Sequence, residues 1–281
     1  MTIAVGILAP NGAVIAADRQ ETAAYQKGEE GKITTVWRAD PPGCLTITGA
    51  GDGFYIDSIS AVLRDWFGSS KEKDIDKLRT EADVLTQEFY KSRVIPISDD
   101  PNLRPDYELL LVCKSFARMQ MWKTSRLAFN RSPMWDAVGV GQVVATALIN
   151  KLWLPVSVEE AVNLAAFTVY EVKASVDGCG LGTDVVFITN DPNPFVNGVP
   201  VFLEDAEIRE MEDIFRRYHK VEREMFHQCV AHATSVHTRD VFEKYKDERP
   251  KMSEAFKEIN ERRRSRFGIT ILPAKIPRPS S

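Results

Sequence analysis

The second residue of the chain is a threonine. At an amino terminus, a threonine carries a nucleophile and a base on one residue. With Met1 removed, the Thr2 hydroxyl lies beside its own α-amine, whose pKa of about 7.7–8.0 leaves much of it a neutral base at physiological pH. Such a base is what a weak hydroxyl nucleophile needs, and a small second residue suits removal of the initiator Met. Threonine is common at this position, so the neighbours carry the argument. Ala9-Pro10-Asn11-Gly12 separates two apolar runs and signals a hairpin, because Asn and Gly tolerate positive φ. A turn centred there makes paired positions sum to about 21, which sets Asp18 beside Thr2. Asp18 follows two small residues, Ala16 and Ala17, and can orient the amine or a lysine. Lys32 opens the next β-like run, where its charge would lower the pKa of the α-amine by like-charge repulsion. Gly49, in Thr48-Gly49-Ala50-Gly51-Asp52, sits between a strand and a helix and can present a backbone N–H to an oxyanion. The chemistry these residues could perform is acyl transfer: attack on an amide, a tetrahedral oxyanion, an ester on Thr2, and resolution by water or a second amine.

The elements that must position them alternate in period. Residues 1 to about 60 read as strands, ITTVWRAD and GCLTITGAG following the hairpin. Ile56, Ile59, Val62, Leu63 and Trp66 recur at helical spacing, and Leu78, Val84, Leu85 and Phe89 predict a second helix beyond the polar GSSKEKD. Strands return with YELLLVCK, ARMQMWK, SRLAFN and DAVGVG. VVATALINKLW reads as a helix, and Ser157-Val158-Glu159-Glu160 fits a capping box before another. DVVFITND reads as a buried strand. Strands, two helices, strands, two helices and a strand fit an α+β layered domain over residues 1–202. Residues 203–281 are denser in charge than the 27% of the whole chain and repeat apolar residues at helical spacing (Ile208, Met211, Ile214, Phe215, Tyr218, Val221). They predict a helical extension ending in a polar, Pro-rich tail.

The pattern TIAVGILAPNGAVIAADRQET…GKI…TITGAGD resembles the start of a proteasome β-type subunit of the N-terminal-nucleophile (Ntn) hydrolase superfamily. It is also similar to the bacterial HslV-type peptidases and the related Anbu proteins. The resemblance spans about residues 2–190, and its specific part is residues 2–52. It implies a four-layer αββα sandwich with antiparallel sheets, a threonine-type endopeptidase, a ring of identical subunits, a peptide or protein substrate and, by analogy, an ATPase unfoldase partner. Residue by residue, it matches Thr2 to the nucleophile, Asp18 to the acid after the second strand, Lys32 to the lysine beside the nucleophile and Gly49 to the oxyanion glycine. It places Glu21 and Thr22 where the family holds the substrate backbone and one wall of its specificity pocket. Ile47 falls at the base of that pocket, and Gly51 joins these as a substrate-binding position. Asp177 matches the acid of a later segment. There the sequence departs from the pattern: Gly139-Val140-Gly141 and Asp177-Gly178-Cys179-Gly180 carry no serine where relatives do.

Other chemistries find less support. The net charge of −4 shows no basic footprint for nucleic acid, and Arg262-Arg263-Arg264-Ser265-Arg266 fits the end of a helix. His219, His227, His232 and His237, with Cys229, match no metal-ligand spacing, so no metal or cofactor is expected. Gly139-Val140-Gly141 is too short for a dinucleotide loop. No apolar run is long enough to cross a membrane, the N-terminus does not read as a signal peptide, and the four cysteines are widely spaced. A cytoplasmic protein with reduced thiols is the expectation. Besides a peptidase, three readings stay open: a peptide ligase using the same acyl-enzyme, a catalytically idle subunit of a ring, and an assembly or gating role centred on residues 203–281.

Overall fold

The computed structural model describes residues 2–23, 26–153, 157–190, 198–231 and 235–267, without the side chains of 22–23, 26–27, 225–242 and 244–245. The described chain divides into two compact units, Met1–Leu203 and Glu204–Ile269, and the Pro-rich tail lies outside the described residues.

In the first unit, β1 (Ile3–Ala9) and β2 (Gly12–Asp18) form the hairpin that the Pro10-Asn11 turn dictates. Its register runs from Ala9↔Gly12 to Ala4↔Ala17, so every pair sums to 21. This hairpin is the centre of an antiparallel sheet ordered β10 (Trp135–Gly139), β1, β2, β11 (Thr183–Thr189), β12 (Val201–Phe202). A short hairpin, β3 (Gln20–Ala23) with β4 (Gln26–Glu29), continues from β2. A second antiparallel sheet is ordered β5 (Thr34–Ala39), β6 (Pro42–Gly51), β7 (Tyr107–Ser115), β8 (Arg118–Ser125), β9 (Ala128–Ser132).

The two sheets contact each other through β1 and β10 against β6 and β7. Small side chains line that interface: Ala4, Ala13 and Ala17 of the first sheet meet Cys44, Leu110, Val112 and Met121 of the second. Gly6 is glycine for this reason, since a Cβ there would stand 2.5 Å from the Met121 sulfur. On its other side the second sheet carries α1 (Gly53–Ser69) and α2 (Ile75–Phe89), which bury Ile59, Leu63, Phe67 and Leu78 against Leu45, Ile47, Leu109 and Leu111. With both faces covered, β7 is buried almost throughout, which explains its unbroken apolar run.

The other helical pair, α3 (Gln142–Leu152) and α4 (Val158–Ser175), packs on β10, β1, β2 and β11. Both halves of the Ser157–Glu160 capping box are formed. Asn11 of the hairpin turn also accepts a 2.7 Å hydrogen bond from Val158 N, which ties the turn to the start of α4.

The second unit is a helical hairpin of α5 (Asp205–Ala231) and α6 (Ser235–Phe267). Ile208, Met211, Ile214, Phe215 and Val221 are buried, as their spacing predicts, with Met252 and Ile259 of α6. The arginines at the end of α6 do more than complement a helix dipole. Arg262 reaches Glu210 at 2.6 Å, Arg263 reaches Glu207 at 2.6 Å, and Arg266 pairs with Glu204. Arg263 is fully buried, so its charge is neutralised at the helix–helix seam. No described helix is long and apolar enough to cross a membrane.

Candidate active site

Thr2 precedes β1 and is buried, at 6% exposure. Its Oγ1 accepts a 2.5 Å hydrogen bond from Lys32 Nζ. Lys32 stands just before β5 and brings its ammonium group back over the end of β2. There it also donates to Asp18 Oδ1 at 3.1 Å and, in a very short contact, to the Gln20 carbonyl. An ammonium has three N–H donors, and three oxygens surround this one.

Asp18 is the last residue of β2 and is fully buried. A buried carboxylate is tolerable only when hydrogen-bonded and paired. Oδ1 accepts from Ile3 N at 3.0 Å as well as from Lys32, and Oδ2 accepts from Gly180 N at 3.0 Å. Asp18 thus binds the first backbone amide of β1, the lysine and the loop after α4 together, which fixes Lys32 against Thr2.

Gly139 contributes from beneath. It has φ of +102°, and a Cβ there would stand 2.0 Å from the Thr2 carbonyl oxygen. Only glycine lets the end of β10 lie against the backbone of Thr2.

These residues open on a cleft lined by Thr2 and Lys32, by Gly49 and Gly51 of β6, and by one face of α1. Gly49 is packed from behind: a Cβ would meet the Glu108 carbonyl at 2.9 Å and Ile56 at 2.9 Å. The β5 ladder ends at Thr34↔Ile47, short of Gly49, whereas β7 continues alongside it to Gly51. Gly51 has φ of +120° and turns the chain toward the Asp52 cap of α1.

The substrate-binding positions divide. Glu21 is exposed and lines the cleft. Thr22 belongs to β3, but its side chain lies outside the described residues. Ile47 does not reach the cleft. It is 1% exposed and packs in the core with Ile59 and Leu63 of α1, because its side of β6 is covered by that helix. Asp177 is exposed in the turn after α4 and does not line the cleft. The segment acts through its neighbours instead: Gly180 N–H holds Asp18, and Cys179 is buried close by. Burial, then the Asp18 charge, pushes the Cys179 thiol up to about 11. Cys44, Cys113 and Cys179 are all free.

Four residues of the site carry no signal in the sequence: Gln20, Glu30, Gly139 as the seat of Thr2, and Asp57. Gln20 and Glu30 flank residues that were singled out, but nothing in the sequence turns their side chains toward the cleft. Asp57 lies on the helix face Gly53, Ile56, Asp57, Ser60, whose i, i+3, i+4, i+7 spacing marks one side without saying what it faces.

No protein-family model and no curated protein matches the chain. Solved structures do. Anbu (ancestral beta-subunit) from Yersinia bercovieri aligns over 80% of this chain and 97% of its own, with a TM-score of 0.62 and 12% identity. Anbu from Hyphomicrobium sp. strain MC1 aligns over 78% and 95%, with a TM-score of 0.62 and 11% identity. The helical assembly of the Anbu complex from Pseudomonas aeruginosa aligns over 80% and 96%, with a TM-score of 0.64 and 12% identity. These neighbours correct the resemblance to proteasome β-type subunits and HslV-type peptidases: the fold of the chain is similar to that of Anbu proteins. At such identity the likeness is one of fold, a mixed α+β arrangement of antiparallel sheets and helices.

Proposed function

We propose that the chain is an Ntn-type hydrolase of four-layer αββα architecture that cleaves amide bonds with Thr2 as nucleophile. The observation that carries this reading is the Lys32 Nζ–Thr2 Oγ1 hydrogen bond, with Lys32 in turn held by the buried Asp18. Because the ammonium donates to Oγ1, Lys32 lowers the cost of negative charge on that oxygen rather than removing its proton. The proton needs another acceptor, and the Thr2 α-amine, once freed of Met1, is the one the residue itself supplies.

The steps follow. Thr2 Oγ attacks the amide carbonyl carbon while its proton passes to the α-amine. The oxyanion that forms is met by the Gly49 backbone N–H, on the stretch of β6 that β5 leaves uncovered. Collapse breaks the C–N bond, and the proton held by the α-amine leaves with the departing amine. Water then attacks the ester, giving the acid and regenerating Thr2; a second amine in its place would make the enzyme a peptide ligase. Asp18 and Lys32 are positioning and electrostatic groups throughout, and the exposed Asp177 takes no part. By analogy with the Anbu assembly, the subunits associate with copies of themselves. Residues 203–281 form an appended helical module.

Intact mass before and after treatment with a β-lactone or epoxyketone tests the reading. The expected result is a protein lacking Met1 that gains one inhibitor mass, and a Thr2→Ala variant that gains none. Retention of Met1 with no adduct would leave the chain as a catalytically idle subunit.

A further inference from the structure

The cleft holds three carboxylates that the acyl chemistry does not use. Glu21 and Glu30 are diagonal neighbours across the β3–β4 hairpin, where Gln20 pairs with Glu29 and Glu21 with Gly28, and a proton on Glu30 is shared with the Glu21 carboxylate. Asp57 faces them from α1. A Cβ placed on Gly53 would stand 3.4 Å from Glu21 Oε1, so the Glu21 carboxylate lies over the first turn of that helix. Among the described lining residues, Lys32 is the one cation, and its donors are directed at Thr2, Asp18 and Gln20. The nearby acids Glu29 and Asp184 are each held by Arg19. Among the described residues, the three cleft carboxylates therefore have no ion-pair partner of their own.

A second observation points to the same ligand. Gln20 lines this cleft at 4% exposure, and its side-chain nitrogen has no hydrogen-bond partner among the described residues. Its amide oxygen lies against Gly180. A buried N–H donor beside a nucleophile lacks an acceptor that a peptide carbonyl would supply.

We propose that the cleft selects peptides with a cationic side chain next to the bond that is cut, arginine before lysine: Glu21, Glu30 and Asp57 receive the charged group, and the Gln20 amide donates to a peptide carbonyl. Paired carboxylates suit the planar, multidonor guanidinium better than a compact ammonium. Among the described residues no group of three His, Cys, Asp or Glu side chains is arranged to hold a metal ion, which favours an organic cation. Glu30 titrates above its ordinary range, because of the hydrogen bond and charge of Glu21, burial and Asp57, while Lys32 pulls the other way. Burial and Glu21 raise Asp57 as well. A cation entering the cleft thus competes with protons. The inference rests on the Thr2 reading for the bond cleaved, but not for the binding of the cation.

The test has two arms. In the first, p-aminobenzamidine is titrated by fluorescence into wild-type protein, into Thr2→Ala, and into a Glu21→Gln/Asp57→Asn double variant whose fold is checked by circular dichroism. Binding to the first two and an affinity loss of about tenfold or more in the third is expected, as for removal of charged partners. Wild-type affinity should also fall as pH is lowered from neutral through the raised titrations of Glu30 and Asp57, a readout that needs no variant. In the second arm, fluorogenic peptide amides ending in arginine, lysine or norleucine are compared by kcat/KM. Arginine should lead norleucine by about tenfold or more, and the double variant should collapse that ratio. Equal binding to the double variant, or wild-type affinity independent of pH, overturns the inference. So does norleucine turning over as fast as arginine. A protein labelled at Thr2 that ignores p-aminobenzamidine refutes the cation site alone. One that binds it through Glu21 and Asp57 yet resists the electrophile refutes the Thr2 reading alone.

Discussion

Three oxygens around one nitrogen decide what Lys32 can do. Thr2 Oγ1, Asp18 Oδ1 and the Gln20 carbonyl take up its donors, so it acts as a fixed positive charge at the Thr2 hydroxyl. Lys32→Met should therefore slow electrophile labelling of Thr2 by about 10²–10³-fold, in the range that one charge-stabilising donor contributes. It should also destabilise the fold by about 3 kcal/mol, because Asp18 stays buried without its partner. Labelling rates and urea unfolding read the two effects separately, and a variant labelled at the wild-type rate would remove Lys32 from the mechanism. The cleft carboxylates make a different prediction. Glu30 and Asp57 titrate above their ordinary 4.5 and 3.8. A raised carboxyl binds its proton more tightly in the folded state, so the stability it contributes is complete below the ordinary value and is lost as pH rises through the raised one. Glu30→Gln and Asp57→Asn should thus raise the melting temperature at neutral pH, with the advantage vanishing in acid. A gain that is independent of pH would argue against carboxylate repulsion as its source. Asp18 beside Thr2 was legible in the sequence because a short hairpin converts residue numbers into a register, whereas Lys32 lies beyond that hairpin and stood out through the family resemblance. Gln20, Glu30 and Asp57 were not legible, because only tertiary packing turns β3, β4 and α1 toward one cleft.

At the scale of the element, local rules held where an end is defined by its own residues. Ser157 and Glu160 close both bonds of the capping box, and Asp52 caps α1 by accepting from Phe54 N at 3.1 Å. Ser157→Ala should cost about 0.5–2 kcal/mol in chemical denaturation, the usual worth of an N-cap, and leave Thr2 labelling untouched, since α4 backs the sheet on which the site stands. Labelling that falls in step with stability would show that α4 positions the nucleophile directly. Alternation along a strand was harder to read. Ile47 and Gly49 share one side of β6, yet Ile47 lies in the core beneath α1 while Gly49 opens on the cleft. The sequence carries that side but not where the helix stops covering it. Asp177 shows the same limit in a turn. The segment does support the site, but through the Gly180 amide on Asp18, a backbone contact that leaves no mark on residue type.

For the whole molecule, the division at Leu203 and Glu204 separates the proposed chemistry from whatever α5 and α6 contribute. Every residue assigned to acyl transfer or to the cleft lies in the first unit. The second is a helical hairpin closed by the Glu204–Arg266, Glu207–Arg263 and Glu210–Arg262 pairs. Two of these pairs are exposed and contribute little, but the Arg263 side chain is 0% exposed and its Glu207 partner 16%. Glu207→Ala leaves a buried guanidinium short of its counter-charge and should destabilise α5 and α6 by about 2–3 kcal/mol, somewhat below the cost of breaking a fully buried pair. If the two units fold independently, calorimetry of the wild-type protein resolves two transitions. The substitution then lowers one of them and leaves the other, along with Thr2 labelling, in place. A single transition that moves as a whole would mean that the hairpin and the first unit fold as one, and that residues 203–281 belong to the scaffold of the proposed site.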